Sequence, residues 1–384
     1  LMNRSEIYKT AIATVLVIGG IQAQSAVVIN EALASNKSYP VGDTAPDWLE
    51  LYNTGSEAAD LAGMRLTTAS GDSYTFPAGC TIPGGGFYRL LCTNDPASAD
   101  NTGFKLSAKG DTLYLYPAGG AAPSDSLDYG MQVTDYSVGR YPDGTGSFQL
   151  CRPTFGEPNT PETPGIIGNV KVNEFCAGPD DWFELYNAGS NPVALGGCYL
   201  TTKPKKDPTM FQIPALTFIG VGKEAYMIFY ADGKPEEGKD HVNFKLAKAD
   251  EGKSEDIALF SSAQLKINAV EYENMVDYEV RGRIPDGGET IAREPRGGTP
   301  GESNYLELES VVISEILSHT DAPWEGGTTD PDFIELQNLS NAPVDVSGWG
   351  LSDSFRDMMK YVFPAGTVIQ PGGFLTVTEY EFND

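Results

Sequence analysis

Histidine is scarce in this sequence, and so are the short motifs that usually mark enzyme active sites. The two histidines, His241 and His319, lie far apart in polar stretches. A Ser–His–Asp relay or a histidine-based zinc site is therefore not expected. The sequence has no G-x-S-x-G elbow, and residues 220–225 (GVGKEA) lack the G-K-[S/T] ending of a phosphate-binding loop. From these absences we predict that the protein is not an enzyme.

Positive charge is also in short supply. The chain has 26 lysine and arginine residues against 53 aspartate and glutamate residues, a formal net charge of −27 at pH 7. Nucleic-acid binding requires clustered basic side chains that displace counterions from the phosphates. The basic residues at 202–208 (TKPKKDP) are better interpreted as a solvated loop. We therefore expect no nucleic-acid partner, whereas the acidic surface favours solubility and attracts divalent cations.

Long apolar runs are absent except near the start of the sequence. Residues 11–21 (AIATVLVIGGI) are apolar, preceded by Arg4 and Lys9 and followed by small residues at 22–26. This run is too short to span a bilayer, and its layout is that of a secretory signal. We predict a signal peptide at residues 1–26, a secreted or cell-surface protein, and no membrane span in the mature chain.

The sequence has five cysteines but no C-x-x-C pair, which argues against a zinc ribbon or a thioredoxin-like motif. Cysteines of an exported chain can form disulfides. Cys176 and Cys198 are a candidate disulfide, because both lie in one repeat of the chain. The pairing of Cys80, Cys92 and Cys151 is left open.

An internal repeat organises the rest of the chain. The segment PDWLELYN at residues 46–53 returns as DDWFELYN at 180–187 and as PDFIELQN at 331–338, and we call these three segments the acidic boxes. Their spacing, about 140 residues, is that of a whole domain rather than of a solenoid unit. We predict repeat 1 at residues 27–160, a linker at 161–169, repeat 2 at 170–305 and a truncated repeat 3 at 311–384. The Pro- and Gly-rich residues 293–309 are also interpreted as linker.

Local patterns within each repeat indicate β-strands. Stretches such as WLELYN (48–53) and DTLYLY (111–116) alternate or run apolar, and Gly, Pro, Asn and Asp turns separate them. Helical periodicity is not sustained anywhere in the repeats. Short strands with frequent turns are typical of a β-sandwich, and a repeat of this size can bury one core between two sheets. We therefore predict an all-β chain of tandem β-sandwich domains.

Six motifs occur in a fixed order: N-E, D-W-x-E-L-Y-N, a strand ending in L-T-T or L-S-D, F-P-A-G…I-x-P-G-G, F-K-L…L-Y-L-Y, and G-R-x-P-D-G. In this order the chain resembles the lamin-tail domain family, in its bacterial, secreted, tandem-repeat form. The resemblance implies an immunoglobulin-like β-sandwich for each repeat, and it implies no enzyme activity. Repeat 2 departs from the pattern by a longer loop at residues 231–243. Arg140 and Arg283 of the last motif are interpreted as structural partners of a nearby Asp or backbone carbonyl.

The acidic box has one structural and two functional interpretations. Along residues 48–52, Leu49 and Leu51 are expected to face the core and Glu50 the outer surface. A fold signature is favoured, because the box persists in three copies while the loops around it change. The alternatives are a paired-carboxylate acid–base site and a Ca²⁺ site, and no other cofactor is expected. The Ca²⁺ candidates are Asp321, Glu325, Asp330, Asp332 and Glu335.

The favoured function is that of a non-catalytic, exported multidomain protein whose repeats act as structural, adhesion or protein-interaction modules at a bacterial surface. The expected partner is a protein or polysaccharide of the cell surface or matrix. One alternative is that the repeats are accessory domains of a secreted enzyme whose catalytic domain lies beyond Asp384. Another is a carbohydrate- or Ca²⁺-dependent binding module, based on a set of aromatic residues: Trp48, Tyr52, Tyr114, Tyr116, Trp182 and Tyr186.

Overall fold

The protein is built from strands that fall into three groups, one for each repeat. The computed structural model describes residues 27–178, 181–248, 253–293, 298–304, 310–318, 331–353 and 359–382. Repeats 1 and 2 each place their strands in two main antiparallel sheets, as in a β-sandwich. The prediction of an all-β chain of immunoglobulin-like β-sandwiches is confirmed. The predicted signal peptide, residues 1–26, lies outside the described residues.

Repeat 1 contains twelve strands: β1 (Val27–Leu33), β2 (Asp47–Asn53), β3 (Ala59–Asp60), β4 (Arg65–Thr68), β5 (Ser73–Thr75), β6 (Thr81–Ile82), β7 (Phe87–Cys92), β8 (Asp111–Tyr116), β9 (Asp125–Tyr129), β10 (Ser137–Tyr141), β11 (Ser147–Arg152) and β12 (Thr160–Pro161). The larger sheet has the order β12-β11-β10-β1-β2-β7. The second sheet has the order β5-β4-β8-β9, and β3 pairs with β6.

Repeat 2 has the same plan. A short 3₁₀ helix, η1 (Ile167–Asn169), lies in the predicted linker before it, and a second, η2 (Gly222–Glu224), lies within it. Its strands are β13 (Val170–Cys176), β14 (Trp182–Asn187), β15 (Val193–Ala194), β16 (Tyr199–Thr201), β17 (Phe211–Gln212), β18 (Phe218–Ile219), β19 (Tyr226–Tyr230), β20 (Glu255–Phe260), β21 (Lys266–Tyr272), β22 (Val280–Arg283) and β23 (Ile291–Arg293). The sheets have the orders β19-β14-β13-β22-β23 and β17-β16-β20-β21, and β15 pairs with β18.

Repeat 3 contains β24 (Val311–Leu317), β25 (Phe333–Asn338), β26 (Val344–Asp345), β27 (Gly350–Leu351), β28 (Tyr361–Val362), β29 (Val368–Ile369), β30 (Phe374–Thr378) and the short helix α1 (Glu379–Phe382). Its main sheet has the order β24-β25-β30. Within the described residues, β24 therefore has one strand partner, whereas β1 and β13 each have two.

Alternating apolar side chains build the cores. Leu49 and Leu51 of β2 are fully buried, as predicted, and share one core with Leu113 and Leu115 of the opposite sheet. Burial of one such leucine stabilises the fold by about 1.5–3 kcal/mol. Repeat 2 has an equivalent core, and repeat 3 has a smaller one around Leu336.

The first strand of each repeat carries a β-bulge at the same place. The register of β1 against β2 shifts between Ile29 and Glu31, so Asn30 is the extra residue. The corresponding shifts occur at Asn173 in β13 and at Ser314 in β24. As a result, the N-E glutamate or its equivalent faces the acidic-box glutamate in every repeat: Glu31 faces Glu50, Glu174 faces Glu184, and Glu315 faces Glu335.

Repeats 1 and 2 meet in a packed interface, which we call the joint. The backbone N–H of Gly130 donates to the Ala215 carbonyl oxygen (2.9 Å), and that of Phe218 donates to the Met131 carbonyl oxygen (2.9 Å). Phe218 packs in the core of repeat 1, and Met131 packs in the core of repeat 2. Each repeat thus contributes a side chain to the core of the other.

Polar contacts flank the joint. Lys109 of repeat 1 pairs with Asp240 of repeat 2 at 2.9 Å, and Lys239 of repeat 2 pairs with Asp128 of repeat 1 at 2.7 Å. The Glu224 carboxylate accepts a hydrogen bond from the backbone N–H of Thr134 at 3.0 Å. These contacts are consistent with a defined arrangement of the two repeats rather than a freely jointed one.

The interpretation of residues 293–309 as linker is wrong for residues 298–304. Thr299 and Asn304 are buried, and the backbone of this stretch donates hydrogen bonds to carboxylates inside repeat 2. A Pro/Gly-rich composition is compatible with an ordered segment when its N–H groups have fixed acceptors. In the described part of the chain, no helix is long and apolar enough to cross a membrane.

Candidate functional site

The paired glutamates of the acidic box and the N-E motif are the candidate site in repeat 1. Asn30, the bulge residue, donates from Nδ2 to Oε1 of Glu50 at 3.0 Å. Ser137 Oγ donates to Oε1 of Glu31 at 2.5 Å. Both carboxylates are fully buried. The β-bulge makes this possible, since it places a short polar side chain beside a pair of carboxylates on neighbouring strands.

A segment from the end of repeat 1, residues 153–159, covers these carboxylates, and we call it closing segment 1. Thr154 donates from its backbone N–H to Glu31 Oε1 (3.2 Å) and from Oγ1 to Glu31 Oε2 (2.9 Å). The backbone N–H of Gly156 donates to Glu50 Oε2 at 2.6 Å. The carboxylates therefore hold a segment that lies about a hundred residues away in sequence.

Repeat 2 repeats this arrangement with residues 298–304 as closing segment 2. Asn173 Nδ2 donates to Glu184 Oε1 at 3.2 Å. The Thr299 N–H donates to Glu174 Oε1 at 2.7 Å, and the Gly301 N–H donates to Glu184 Oε2 at 2.6 Å. The two closing segments share the pattern T-x-G-E-x-N, at residues 154–159 and 299–304.

The aspartate of G-R-x-P-D-G forms a further layer around the carboxylates. Asp143 Oδ1 accepts from Asn30 Nδ2 (3.0 Å) and from the Asn159 N–H (3.1 Å). In repeat 2, Asp286 Oδ1 accepts from Asn173 Nδ2 (2.9 Å) and the Asn304 N–H (3.1 Å). The last residue of the T-x-G-E-x-N pattern is thus tied to the same network as the first.

The prediction that Glu50 faces the outer surface is wrong. Strand alternation does separate it from Leu49 and Leu51, but closing segment 1 covers that second face, so Glu50 is 0% exposed. Trp48 is buried as well, with its ring 4.7 Å from that of Phe155 in the same segment. The other aromatics considered for a sugar-binding platform are half-buried: Tyr52, Tyr114, Tyr116, Trp182 and Tyr186.

Burial dominates the protonation of these carboxylates. It raises the pKa of Glu31 to about 7, against hydrogen bonds from Ser137 and Thr154 that lower it. Burial also raises the pKa of Glu50 to about 8 and that of Glu184 to about 8. Two carboxylates on facing positions repel each other when both are ionised, which adds to the effect.

The Asp near the start of the acidic box and the Asn at its end bind neighbouring backbone groups. Asp47 Oδ1 accepts from the Asn36 N–H at 3.1 Å, and Asp181 Oδ2 accepts from the Leu246 N–H at 2.9 Å. The final Asn donates its amide to a backbone carbonyl in each repeat: Asn53 to Ile82 (3.1 Å), Asn187 to Gly220 (2.7 Å) and Asn338 to Ile369 (2.9 Å).

The arginines of G-R-x-P-D-G also make internal contacts. Arg140 Nε donates to the Ile29 carbonyl oxygen (2.8 Å), and its Nη2 pairs with Asp125 (2.8 Å). Arg283 Nε donates to the Val172 carbonyl oxygen (2.7 Å), with Asn268 in the place of the aspartate. Burial lowers the pKa of Arg283. The contacts are those of structural partners, as expected from the sequence.

Repeat 3 carries the same pair of carboxylates in a more open setting. Ser314 Oγ donates to Glu335 Oε1 at 2.7 Å, but Glu315 is exposed and Glu335 is only half-buried. Of the Ca²⁺ candidates, Asp332 immediately precedes β25 and Glu335 lies within it. Asp321, Glu325 and Asp330 lie outside the described residues.

Two further groups of side chains in repeat 2 could carry chemistry: its cysteines and the carboxylates and histidine of its longer loop. Cys176, the last residue of β13, and Cys198, which immediately precedes β16, are both buried and present as thiols. Within the described residues, three side chains have metal-ligand geometry: one ligand atom each from Asp232, Glu237 and His241 lie within 4.8 Å of one another.

Sequence reasoning found the glutamates of the site but missed the segments that bind them. Thr154, Gly156, Thr299 and Gly301 lie in stretches of low β-propensity. The signal that could have found them is the recurrence of T-x-G-E-x-N after G-R-x-P-D-G in both repeats.

Comparison with protein families identifies a relationship for parts of this chain. The family model described as Lamin Tail Domain matches residues 21–131 and 307–383. No curated protein matches the chain. Repeat 2 lies outside the matched residues, but β13 and β14 have the same bulge and register as β1 and β2.

Proposed function

Since residues 21–131 and 307–383 of this chain belong to the lamin tail domain family, we propose that the protein is a non-catalytic, exported scaffold. Its tandem β-sandwiches act as structural, adhesion or protein-interaction modules at a bacterial surface, and the partner is a surface protein or polysaccharide. The observation that carries the proposal is the position of the glutamates that recur in each repeat. In repeats 1 and 2 they bind closing segments instead of lining a cleft.

The joint supports a scaffold role. Two sandwiches that exchange core side chains and ion pairs keep a fixed orientation, which suits a spacer that holds a binding surface away from its anchor. Both oxygens of Glu50 accept hydrogen bonds from within repeat 1, and its side chain is fully buried, so this carboxylate is not placed to reach a substrate.

The proposal is tested by measuring binding and turnover with the same preparation. The chain from residue 27 to 384 is applied to immobilised polysaccharides and surface-protein extracts, and it is assayed on ester, glycan and phosphodiester substrates. We expect saturable retention on a surface fraction and no turnover. Turnover that is lost in Glu50→Gln or Glu184→Gln would show instead that the carboxylates are catalytic.

Export is tested separately. Residues 1–26 are fused to a reporter enzyme that is active only outside the cytoplasm, with the same fusion carrying Val15→Asp and Leu16→Asp as the control. Activity of the first fusion and its loss in the second are expected, because charges in the apolar run abolish its recognition as a signal. An inactive first fusion contradicts the exported part of the proposal.

A further inference from the structure

The loop between β19 and β20 differs from its counterpart in repeat 1 at two equivalent positions. In repeat 1, the Leu91 N–H donates to the Asp100 carbonyl oxygen, and the Thr102 N–H donates to that of Leu91. In repeat 2, the Tyr230 N–H donates to the Asp240 carbonyl oxygen, and the Val242 N–H to that of Tyr230. These matching bonds place His241 where repeat 1 has Asn101.

The side chain that contacts this residue has changed as well. In repeat 1, Thr93 closes the loop by donating from Oγ1 to Asn101 Oδ1 at 3.2 Å. In repeat 2, the equivalent pair is Asp232 and His241, with Oδ2 and Nδ1 2.7 Å apart. A neutral hydroxyl–amide pair is thus replaced by a carboxylate and an imidazole, which are common ligands of transition-metal ions.

A third ligand comes from the same loop. Glu237 lies between the other two in sequence, and one oxygen of each carboxylate and one nitrogen of His241 all lie within 4.8 Å of one another. Two ligands are already held in place. Asp232 Oδ1 accepts from the Lys234 N–H at 3.0 Å, and the His241 ring packs on that of Tyr230 with centroids 5.0 Å apart.

We propose that Asp232, Glu237 and His241 bind one divalent transition-metal ion of the Zn²⁺ type. Zn²⁺ accepts imidazole nitrogen and carboxylate oxygen at about 2.0–2.2 Å, and water completes its coordination. Neighbouring ligand atoms of such an ion lie about 3.4 Å apart, so the ion must replace the 2.7 Å hydrogen bond between Asp232 Oδ2 and His241 Nδ1 and move these atoms apart by roughly 0.7 Å. The exposed Glu237 side chain must also rotate towards them. Ca²⁺ and Mg²⁺ take oxygen ligands, so they are poor occupants of a site with an imidazole.

Lys234 competes with the ion. Its Nζ pairs with Glu237 Oε1 at 2.7 Å, and both side chains are about half exposed. An exposed pair of this kind is weak and readily exchanged. Removal of the amine therefore leaves Glu237 available and increases the affinity for the metal. If the loop had only a structural role, removal of this amine would not increase the affinity for a metal ion.

The scarcity of histidine in the sequence concealed this site. A count of two histidines argues against a site with several imidazoles, but one imidazole with two carboxylates needs only His241. The loop was visible as a departure from the repeat pattern, whereas the pairing of Asp232 with His241 depends on the fold.

The test is a Zn²⁺ titration of the tag-free chain from residue 27 to 384. Calorimetry measures the affinity and the number of ions bound, and NMR monitors the side-chain ¹⁵N resonances of the two histidines. The central variant is Asp232→Thr with His241→Asn, which restores the loop-closing pair of repeat 1 and so preserves the loop. His319→Asn is the matched control for the other histidine. Lys234→Met tests the competition, and Ca²⁺ and Mg²⁺ test the ion class.

We expect one Zn²⁺ per chain, a shift of the His241 Nδ1 resonance, and a loss of affinity of at least about tenfold in the double variant. His319→Asn should bind like the parent, Lys234→Met several-fold more tightly, and Ca²⁺ or Mg²⁺ should leave the His241 resonances in place. The proposal is overturned if saturating Zn²⁺ leaves the His241 resonances unchanged, or if the double variant binds Zn²⁺ as the parent does. Loss of binding in His319→Asn alone also overturns it, because the ion is then held elsewhere.

Discussion

At the scale of single residues, the buried glutamates make stability depend on pH in an unusual direction. Glu31, Glu50 and Glu184 have folded-state pKa values of about 7, 8 and 8, against 4.5 for an ordinary glutamate. Between these limits the folded state binds more protons than the unfolded state. The contribution of these glutamates to the free energy of unfolding is therefore fully present below about pH 4.5. It is lost as the pH rises towards 8, by up to about 1.4 kcal/mol per pH unit for each group.

Urea unfolding of the chain from residue 27 to 384 at pH 5, 6, 7 and 8 measures this slope. Sodium chloride at a fixed high concentration screens the repulsion among exposed carboxylates, which has the same sign but is not a property of the network. Glu50→Gln with Glu184→Gln removes two of the titrating groups, so the pH slope of the variant should be clearly smaller. A chain that gains stability from pH 5 to pH 8 at high salt would contradict the raised pKa values of these carboxylates.

The arginines of the two repeats form a natural pair for comparison. Arg140 has the carboxylate of Asp125 as its partner, and Arg283 has the amide of Asn268. Asp125→Ala leaves a largely buried guanidinium without its counter-charge and should destabilise repeat 1 by about 3 kcal/mol. Asn268→Ala removes a neutral partner and should cost about 1 kcal/mol. Asp125→Asn, which copies repeat 2, should lose an intermediate amount of stability. All three losses are measured by denaturant unfolding. Equal losses in the two alanine variants would show that the charge is not important.

Residue-level prediction from the sequence succeeded where only local geometry was needed. Alternation placed Leu49 and Leu51 in the core, and that was correct because a strand has two faces wherever it lies. Alternation could not say what covers the second face. Glu50 is buried by Gly156 and its neighbours, and no local pattern around residue 50 contains that information.

At the scale of elements, closing segment 2 is sensitive to a single added carbon. Gly298 has φ of +65°, and a Cβ there would lie 2.4 Å from Glu174 Oε1 and 2.7 Å from Val280 Cγ1. Gly301, in the same segment, has φ of +84° but no atom within 4 Å of its Cβ position. Both alanine variants have the backbone strain, about 1–2 kcal/mol, but only Gly298→Ala also disrupts packing, which adds about 1–3 kcal/mol.

The two glycine variants are compared by thermal unfolding and by hydrogen exchange of the Thr299 and Gly301 amides. Gly298→Ala should unfold at a lower temperature than Gly301→Ala and should lose protection at both amides. If Gly301→Ala is the less stable variant, then closing segment 2 does not lie against the Glu174 carboxylate as described.

The edge strand β24 is the second element with a distinct expectation. Among the described residues it pairs only with β25, and it exposes 54% of Ile313 and 62% of Ile316. An apolar strand edge of this kind promotes edge-to-edge association. Ile316→Lys should reduce concentration-dependent association in sedimentation velocity, whereas Leu265→Lys, which removes an equally exposed apolar residue from a turn, should not. Equal effects would assign the association to general surface hydrophobicity.

At the scale of the whole molecule, the sequence predicted the sandwiches but not the joint. Repeats, turns and alternation are periodic signals, and they recur wherever the fold recurs. The joint depends on residues without a periodic pattern, such as Gly130, Met131 and Phe218, which make contact only because two folded repeats bring them together. The longer loop of repeat 2 also takes part in the joint, because its Asp240 forms an ion pair with Lys109 of repeat 1.

The joint gives a direct test of the rigid tandem. A Cβ on Gly130 would lie 1.9 Å from Thr217 Oγ1, in the middle of the bonds between the repeats, whereas a Cβ on Gly168 has ordinary contacts at 3.8 Å. Gly130→Ala should separate the repeats: the radius of gyration from small-angle scattering should increase, and the Phe218 amide should lose its exchange protection. Gly168→Ala should behave as the parent.

The number of unfolding transitions is a second test of the joint. Each sandwich has its own core, and the exchange of Phe218 and Met131 between the cores couples them. We therefore expect the parent to unfold in one transition and Gly130→Ala to unfold in two. A parent chain that already unfolds in two transitions would mean that the exchanged side chains do not make the repeats a single cooperative unit.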